Sequence, residues 1–216
     1  MKKDITVIGL GTFGYELAIN LEEQGNSVLA IDKKLNLINQ IKDHVTAAIQ
    51  ADVTDENVLY QLDVYKSEKV ILGMSNSLEN LILTITYLKK MNTKHIIAKA
   101  NTKIQKEILL KIGADEVIQP EIEMAHTIAK KISYPNILES ITVDNQNTLV
   151  ETKIPKKMAG KSLKELNLRE KYGILVLFEK KENKYNIITD PNIKFNVGDI
   201  IFVTGEEKTI IDLFTK

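Results

Sequence analysis

A chain of 216 residues has room for one large domain or two small ones. Lys+Arg and Asp+Glu stand at 29 each, so the zero formal net charge removes the bulk attraction that a nucleic-acid or anionic-membrane binder would show. With no Cys in the chain, disulfides, thiol catalysis and Cys-based zinc sites are excluded.

Residues 4–119 alternate between two hydrophobic periods. Short β-branched runs occur at Ile5–Ile8, Ser27–Ile31, Thr46–Ile49, Val70–Leu72, His95–Ala98 and Glu116–Ile118. Segments of helical spacing lie between them. Phe13, Leu17, Ala18 and Leu21 form one face, Leu78, Leu81, Ile82, Ile85 and Leu88 another, and Ile104, Ile108 and Ile112 a third. Apolar strands alternating with amphipathic helices predict an α/β fold, a Rossmann-like doubly wound parallel sheet covered on both faces. Ser77 and the run Thr54-Asp55-Glu56 mark helix starts. Pro120 opens a further helix with Ile122, Ala125, Ala129 and Ile132 on one side, and Tyr134-Pro135-Asn136 breaks it.

This break places the domain boundary at 134–138, giving domains 1–134 and 138–216. The second domain reads as a small α+β module of βαβ type. Its expected strands lie near 137–143, 149–154, 174–178, 185–188 and 200–203, with a short helix at 161–171 and a last helix around Ile210 and Phe214. No stretch approaches the ~18 apolar residues of a membrane span, and the N-terminus lacks the apolar core of a signal peptide. The expectation is a soluble, cytoplasmic protein.

The strongest motif is Gly9-Leu10-Gly11-Thr12-Phe13-Gly14, placed between the first strand and the first helix. Gly9 permits the tight turn, Gly11 lets backbone approach a pyrophosphate, and Gly14 lets the helix pack close to the sheet. The helix N-terminus then offers free N–H groups to phosphate. Asp32 ends the second strand, where an acid accepts from ribose hydroxyls and repels a 2′-phosphate, favouring NAD over NADP. Asp52 follows the third strand and is placed to accept from an adenine amine, with Val53 beside it. Helix capping is the competing role for Thr54 and Asp55. Gly73-Met74-Ser75-Asn76 and Lys99 end the fourth and fifth strands, at the edge where this fold binds ligands. Lys99 is placed to meet phosphate, the alternative being a solvated strand end. The chemistry of catalysis is not supplied: His44, His95 and His126 are scattered, and no nucleophile elbow or metal-binding helix motif occurs. The chain is therefore expected not to be an enzyme.

These residues, together with Lys111-Ile112-Gly113-Ala114-Asp115-Glu116-Val117-Ile118-Gln119-Pro120-Glu121, Gly160–Gly173 and Phe195-Asn196-Val197-Gly198-Asp199, give the whole chain a resemblance to a known family. It resembles the cytoplasmic regulatory subunits of Ktr/Trk potassium uptake systems, built from an RCK (KTN, or TrkA-N) domain and a TrkA-C (RCK-C) domain, and within them the KtrA type. The resemblance implies a gating subunit without a transport path of its own. Such a subunit sits at the inner face of the membrane on a potassium transporter subunit, assembles as dimers and an octameric ring, and does not bind nucleic acid. It further implies that ATP, ADP or NAD(H) binds the first domain at Gly9, Gly11, Thr12, Phe13, Gly14, Asp32, Lys33, Asp52, Val53, Ser75, Asn76 and Lys99. Glu121 matches an acid contributing to a divalent or monovalent cation site near the phosphates. Thr12 departs from the pattern, standing where an arginine reaching a terminal phosphate is common; Lys33 or Lys99 would have to substitute.

Some members also bind cyclic di-AMP through the second domain. The matching positions are Leu163, Asn167, Leu168, Arg169, Tyr172 and Pro191. Arg169 is the sole arginine in a lysine-rich chain, and a guanidinium holds phosphate bidentately. The alternative is that Leu163, Leu166 and Leu168 are core and Arg169 lies on a solvated face. Two competing functions remain, an NAD-dependent oxidoreductase and a nucleotide-binding regulator of another cation channel or antiporter.

Overall fold

The structure is a computed structural model and describes residues 4–74, 77–144, 146–182 and 184–215. It divides into two compact units, Met1–Glu123 and Met124–Lys216. The division falls inside the helix Pro120–Ser133.

The first unit is a six-stranded parallel sheet ordered β3-β2-β1-β4-β5-β6. Its strands are β1 (Asp4–Ile8), β2 (Ser27–Asp32), β3 (Ala47–Gln50), β4 (Lys69–Leu72), β5 (Ile96–Lys99) and β6 (Glu116–Ile118). The connecting helices are α1 (Thr12–Glu23), α2 (Leu35–Ile41), α3 (Glu56–Gln61), α4 (Leu78–Lys90) and α5 (Lys103–Ile112), and α6 (Pro120–Ser133) follows β6. Successive strand residues point to opposite faces, and here they enter two different cores. Ile8, Ile31 and Leu72 pack with Leu81, Ile85 and Leu88 of α4. Their neighbours Val7, Ala30 and Ile71 pack with Ala18 of α1 and Ile38 and Ile41 of α2. Each such buried aliphatic side chain contributes about 1.5–3 kcal/mol, so both helix layers are needed to close the sheet.

The expected caps are present: the side chains of Asp55 and Ser77 accept from the amides of Asn57 and Asn80. One expected face is not. On α5 the buried residue is Leu109, while Ile104 is 70% exposed. Residues four apart on a helix drift by about 40° each step, so the row of isoleucines leaves the packed stripe by Ile104, while Ile108 and Ile112 stay half-buried. On α6 no residue is buried within the chain, and Ile132 of its apolar side is exposed.

The second unit corrects the βαβ expectation. Its five strands are β7 (Ile137–Thr142), β8 (Thr148–Lys153), β9 (Leu175–Lys181), β10 (Lys184–Ile187) and β11 (Ile200–Gly205). They form an entirely antiparallel sheet ordered β10-β9-β11-β8-β7. The expected helix at 161–171 is two short helices, α7 (Leu163–Leu166) and α8 (Leu168–Tyr172), split at Asn167 in the left-handed region (φ 45°). Ser162 opens α7 with a reciprocal capping box to Glu165. The core gathers Val150, Val176, Ile201 and Val203 from the sheet with Phe195, Leu166 and Leu168, and with Ile210 and Phe214 of α9 (Glu207–Thr215). Asn136 donates to the Phe214 carbonyl at 2.8 Å, tying the start of this unit to its last helix.

Candidate functional site

The carboxyl ends of β1, β2, β3, β4 and β5 converge on a cleft of about 410 Å³, within the size range of ligand pockets. Strand order reverses beside β1, and the crevice at such a switch point is where open α/β sheets bind ligands.

The glycine turn is built by close approach. Gly9 has φ +89°, and a Cβ there would fall 2.6 Å from the Met74 amide nitrogen. A Cβ on Gly14 would fall 2.0 Å from the Gly9 carbonyl oxygen, and one on Gly73 2.8 Å from the same atom. Gly14 therefore serves packing and does not line the cleft. A Cβ on Gly11, by contrast, would meet no protein atom within 4 Å. Gly11 is also the N-cap of α1 and brings no side-chain cap, so the first-turn amides of that helix face the cleft without a capping oxygen. Thr12 and Phe13 line the cleft beside it.

Asp32 is held by backbone. Its Oδ2 accepts from the Leu10 amide at 2.7 Å and its Oδ1 from the Lys34 amide at 2.8 Å. Each oxygen keeps a second lone pair for a ribose hydroxyl. Asp52 uses Oδ1 to accept from the Thr54 hydroxyl at 2.7 Å and its amide at 3.0 Å. These bonds hold the Asp52 carboxyl below its ordinary value. Asp52 thus holds its own turn while lining the cleft, and the capping role weighed for this loop falls to Asp55, which caps α3.

At the far end, Lys99 is 8% exposed and pairs with Glu121 from the first turn of α6. The Lys99 ammonium holds the Glu121 carboxyl below the usual range, and it lies 5.9 Å from the centre of the Phe13 ring. Among the described residues, no group of three or more His, Asp or Glu side chains is gathered that could hold a metal ion. Any cation at Glu121 would need donors from elsewhere.

Lys33 and Val53 also line the cleft. Ser75 and Asn76 lie outside the described residues. Sequence reasoning missed Lys34, Leu37 and Asn80 as lining residues. Lys34 and Leu37 belong to the start of a short helix that no strong periodicity announces, and Asn80 lies in the first turn of α4, where its amide serves the Ser77 cap.

In the second unit Leu168 is 2% exposed and Leu163 packs against the same core, which removes Leu168 as an open wall for cyclic di-AMP. Asn167, Arg169, Tyr172 and Pro191 are exposed, and the Pro191 carbonyl accepts from the Lys164 amide at 2.8 Å, which holds that loop against α7. No helix among the described residues is long and apolar enough to cross a membrane.

Residues 5–120 match the TrkA-N domain family and residues 148–216 the TrkA-C domain family. The Ktr system potassium uptake protein C of Bacillus subtilis (strain 168) is 31% identical over 98% of this chain and 99% of its own. The Ktr system potassium uptake protein A of the same organism is 32% identical over 96% and 94%. Among solved structures, the GsuK RCK domain superposes on 100% of this chain and 48% of its own with a TM-score of 0.68 at 15% identity. The TrkA-N domain of the inner membrane protein ybaL from Escherichia coli covers 60% of this chain and 96% of its own, with a TM-score of 0.54 at 19% identity. At these identities the structural likeness shows the fold alone.

Proposed function

Because the chain belongs to the TrkA-N/TrkA-C family of Ktr potassium uptake proteins, we propose that it is the nucleotide-sensing regulatory subunit of a potassium transporter. One observation carries the reading: a cleft at the switch point joins an uncapped helix N-terminus to a backbone-pinned acid. That pair fits the diphosphate and the ribose of an adenine nucleotide, ATP, ADP or NAD(H). Asp32 takes the ribose hydroxyls, the α1 amides take phosphate, and Asp52 and Val53 flank the base. The protein acts by binding and not by turnover. Bound nucleotide biases a dimer, or a ring of dimers, between shapes for which it has different affinities, and the assembly docks on the cytoplasmic side of a membrane potassium transporter subunit. Where a cation takes part, Glu121 supplies one oxygen and the phosphates others. The exposed Arg169, Asn167 and Tyr172 are the residues of the second unit left to hold a cyclic dinucleotide.

Thermal shift over ATP, ADP, NAD, NADH and cyclic di-AMP ranks the ligands directly, because stabilisation follows RT ln(1+[L]/Kd). Stabilisation by an adenine nucleotide, lost in Asp32→Ala, is expected. No response to any of them overturns the sensing role. Co-purification with a potassium transporter separates this function from regulation of another cation channel or antiporter.

A further inference from the structure

The zero net charge of the chain hides an asymmetry. Acids outnumber bases up to Glu123, and bases outnumber acids from Met124 onward. In the second unit part of that excess gathers in one place. Lys156, Lys157, Lys161 and Lys164 stand in a segment that contains no acid. The first three belong to the loop 154–162, which runs beside the loop 193–199. The Gly160, Leu163 and Gly198 amides donate to the carbonyls of Phe195, Ile193 and Ile154 at 2.8, 3.0 and 2.9 Å, and Ser162 is bridged to Lys194.

The joined loops have an inner and an outer side. Ile154, Met158 and Phe195 are buried in the core. Lys156, Lys157, Lys161 and Lys194 are exposed, and none of them forms an ion pair among the described residues. Glu165 is in electrostatic reach of Lys194 and Lys161, but its carboxylate already accepts from the Ser162 amide at 2.6 Å, and it offsets only one charge of the group. At the tip of the second loop Val197 is 57% exposed. Its turn is fixed, since the Asp199 carboxylate accepts from the Asn196 amide at 2.7 Å and the Asp199 amide donates to the Asn196 carbonyl at 3.2 Å.

These features choose among polyanions. Grip on a nucleic acid uses arginine forks and aromatic platforms for stacking. The aromatic residue of these loops, Phe195, is buried, and their cations are all lysines. A layer of anionic lipid headgroups asks for lysine charge near its surface and accepts a small apolar tip.

We propose that the outer side of the loops 154–162 and 193–199 is a membrane-contact surface for anionic lipid headgroups, with the four lysines on the charged layer and Val197 entering it. The contact goes beyond the gating role and draws on that reading for location alone, the cytoplasmic side of a membrane. It is local, and so compatible with a chain that has no bulk charge to attract it there.

Co-sedimentation of the full chain with transporter-free vesicles tests it. Vesicles of about one-third phosphatidylglycerol should bind at about 50 mM salt at least about tenfold more tightly than vesicles of phosphatidylcholine alone, and about 200 mM salt should weaken that binding about tenfold. The triple variant Lys156→Gln, Lys157→Gln, Lys161→Gln should lose about tenfold, whereas Lys42→Gln, Lys94→Gln, Lys103→Gln, which removes as many exposed charges from the first unit, should change by less than about threefold. Val197→Ser should lose about threefold. Equal binding to the two kinds of vesicle overturns the proposal, as does equal loss in the two triple variants, or tighter binding to a single-stranded polynucleotide than to the anionic vesicles. An unchanged affinity in Val197→Ser overturns the seat given to that turn. If the first triple variant does not fold, the vesicle comparison and the salt response decide alone. Failure here leaves nucleotide sensing, which thermal shift reads separately, as it stands.

Discussion

The parallel sheet of the first unit lies between two cores and the antiparallel sheet of the second faces one, and the cleft that gathers the candidate site belongs to the first. In the parallel sheet every strand ends on the same edge, so the loops after five strands and the starts of α1, α2, α4 and α6 converge on one place. In the antiparallel sheet successive ends alternate, and the loop that carries Pro191 closes against α7 rather than around a hollow. Direction of chain, more than composition, decides which half of this molecule can enclose a ligand.

The comparison can be broken most sharply at the glycines. Gly14→Val places a side chain where even a Cβ would lie 2.0 Å from the Gly9 carbonyl oxygen. We expect a loss of about 5 kcal/mol, or failure of the first unit to fold, read by chemical denaturation. Gly11→Ala is the counterpart. Its Cβ meets no protein atom, so stability should stay within about 0.5 kcal/mol while nucleotide affinity falls. Equal damage to stability by both substitutions would mean that the motif is a packing device and nothing more.

In the second unit, Phe214→Ala should cost about 3–5 kcal/mol, because the ring is fully buried among Ile201, Val203 and Ile210. Every residue lining the cleft lies in the first unit, so the folded fraction of this variant should still bind nucleotide with unaltered affinity. Loss of binding by folded Phe214→Ala protein would show that the two regions are not separable in function.

A smaller effect is expected at Asp32. Asp32→Ala removes the acceptor of two loop amides and of the ribose, and should weaken binding by about 1.5–3 kcal/mol in calorimetry. Asp32→Asn keeps one carbonyl acceptor and should lose less. A full loss in both would point to charge, and an unchanged affinity in both would unseat the ribose assignment.

The smallest effect concerns acid. The Thr54 hydroxyl and amide depress the Asp52 carboxyl in the folded state. A group whose folded value is depressed contributes stability that is fully present above its unfolded value, near pH 3.9, and lost as pH falls through the folded one. Denaturation curves should therefore show that Asp52→Asn is less sensitive to pH below about 4 and parallel to the parent protein near neutrality. A difference in slope appearing only above pH 6 would contradict this origin.

The first unit was largely legible in the sequence because its signals are local and redundant. Val7 and Ile8, Ala30 and Ile31, Ile71 and Leu72 are continuous apolar pairs, and only a sheet covered on both faces asks for them. The glycine turn and Asp32 fall at spacings that one fold explains. The roles of single atoms were less legible. That Asp32 is clipped by the amides of Leu10 and Lys34, or that Lys99 is met by Glu121, depends on loops distant in sequence coming together. Leu109 was hidden by three better-spaced isoleucines, because angular drift along α5 has no counterpart in a list of apolar positions. The direction of the strands in the second unit was misread for a related reason. Short apolar runs carry no arrow, and with α7 and α8 merged into one helix they resemble a crossover.

The clip on Asp32 also bears on how quickly and by what route this site responds. Both carboxylate oxygens already hold the glycine turn and the start of the next loop together, so the entrance is assembled before anything arrives. An arriving molecule has little disorder to remove there, and its encounter is limited by diffusion and fit more than by closure of a lid. An entrance that is already set conveys no message when it is filled. Whatever this protein tells a partner about what it has bound must originate in a part of the cleft that still has two arrangements open to it.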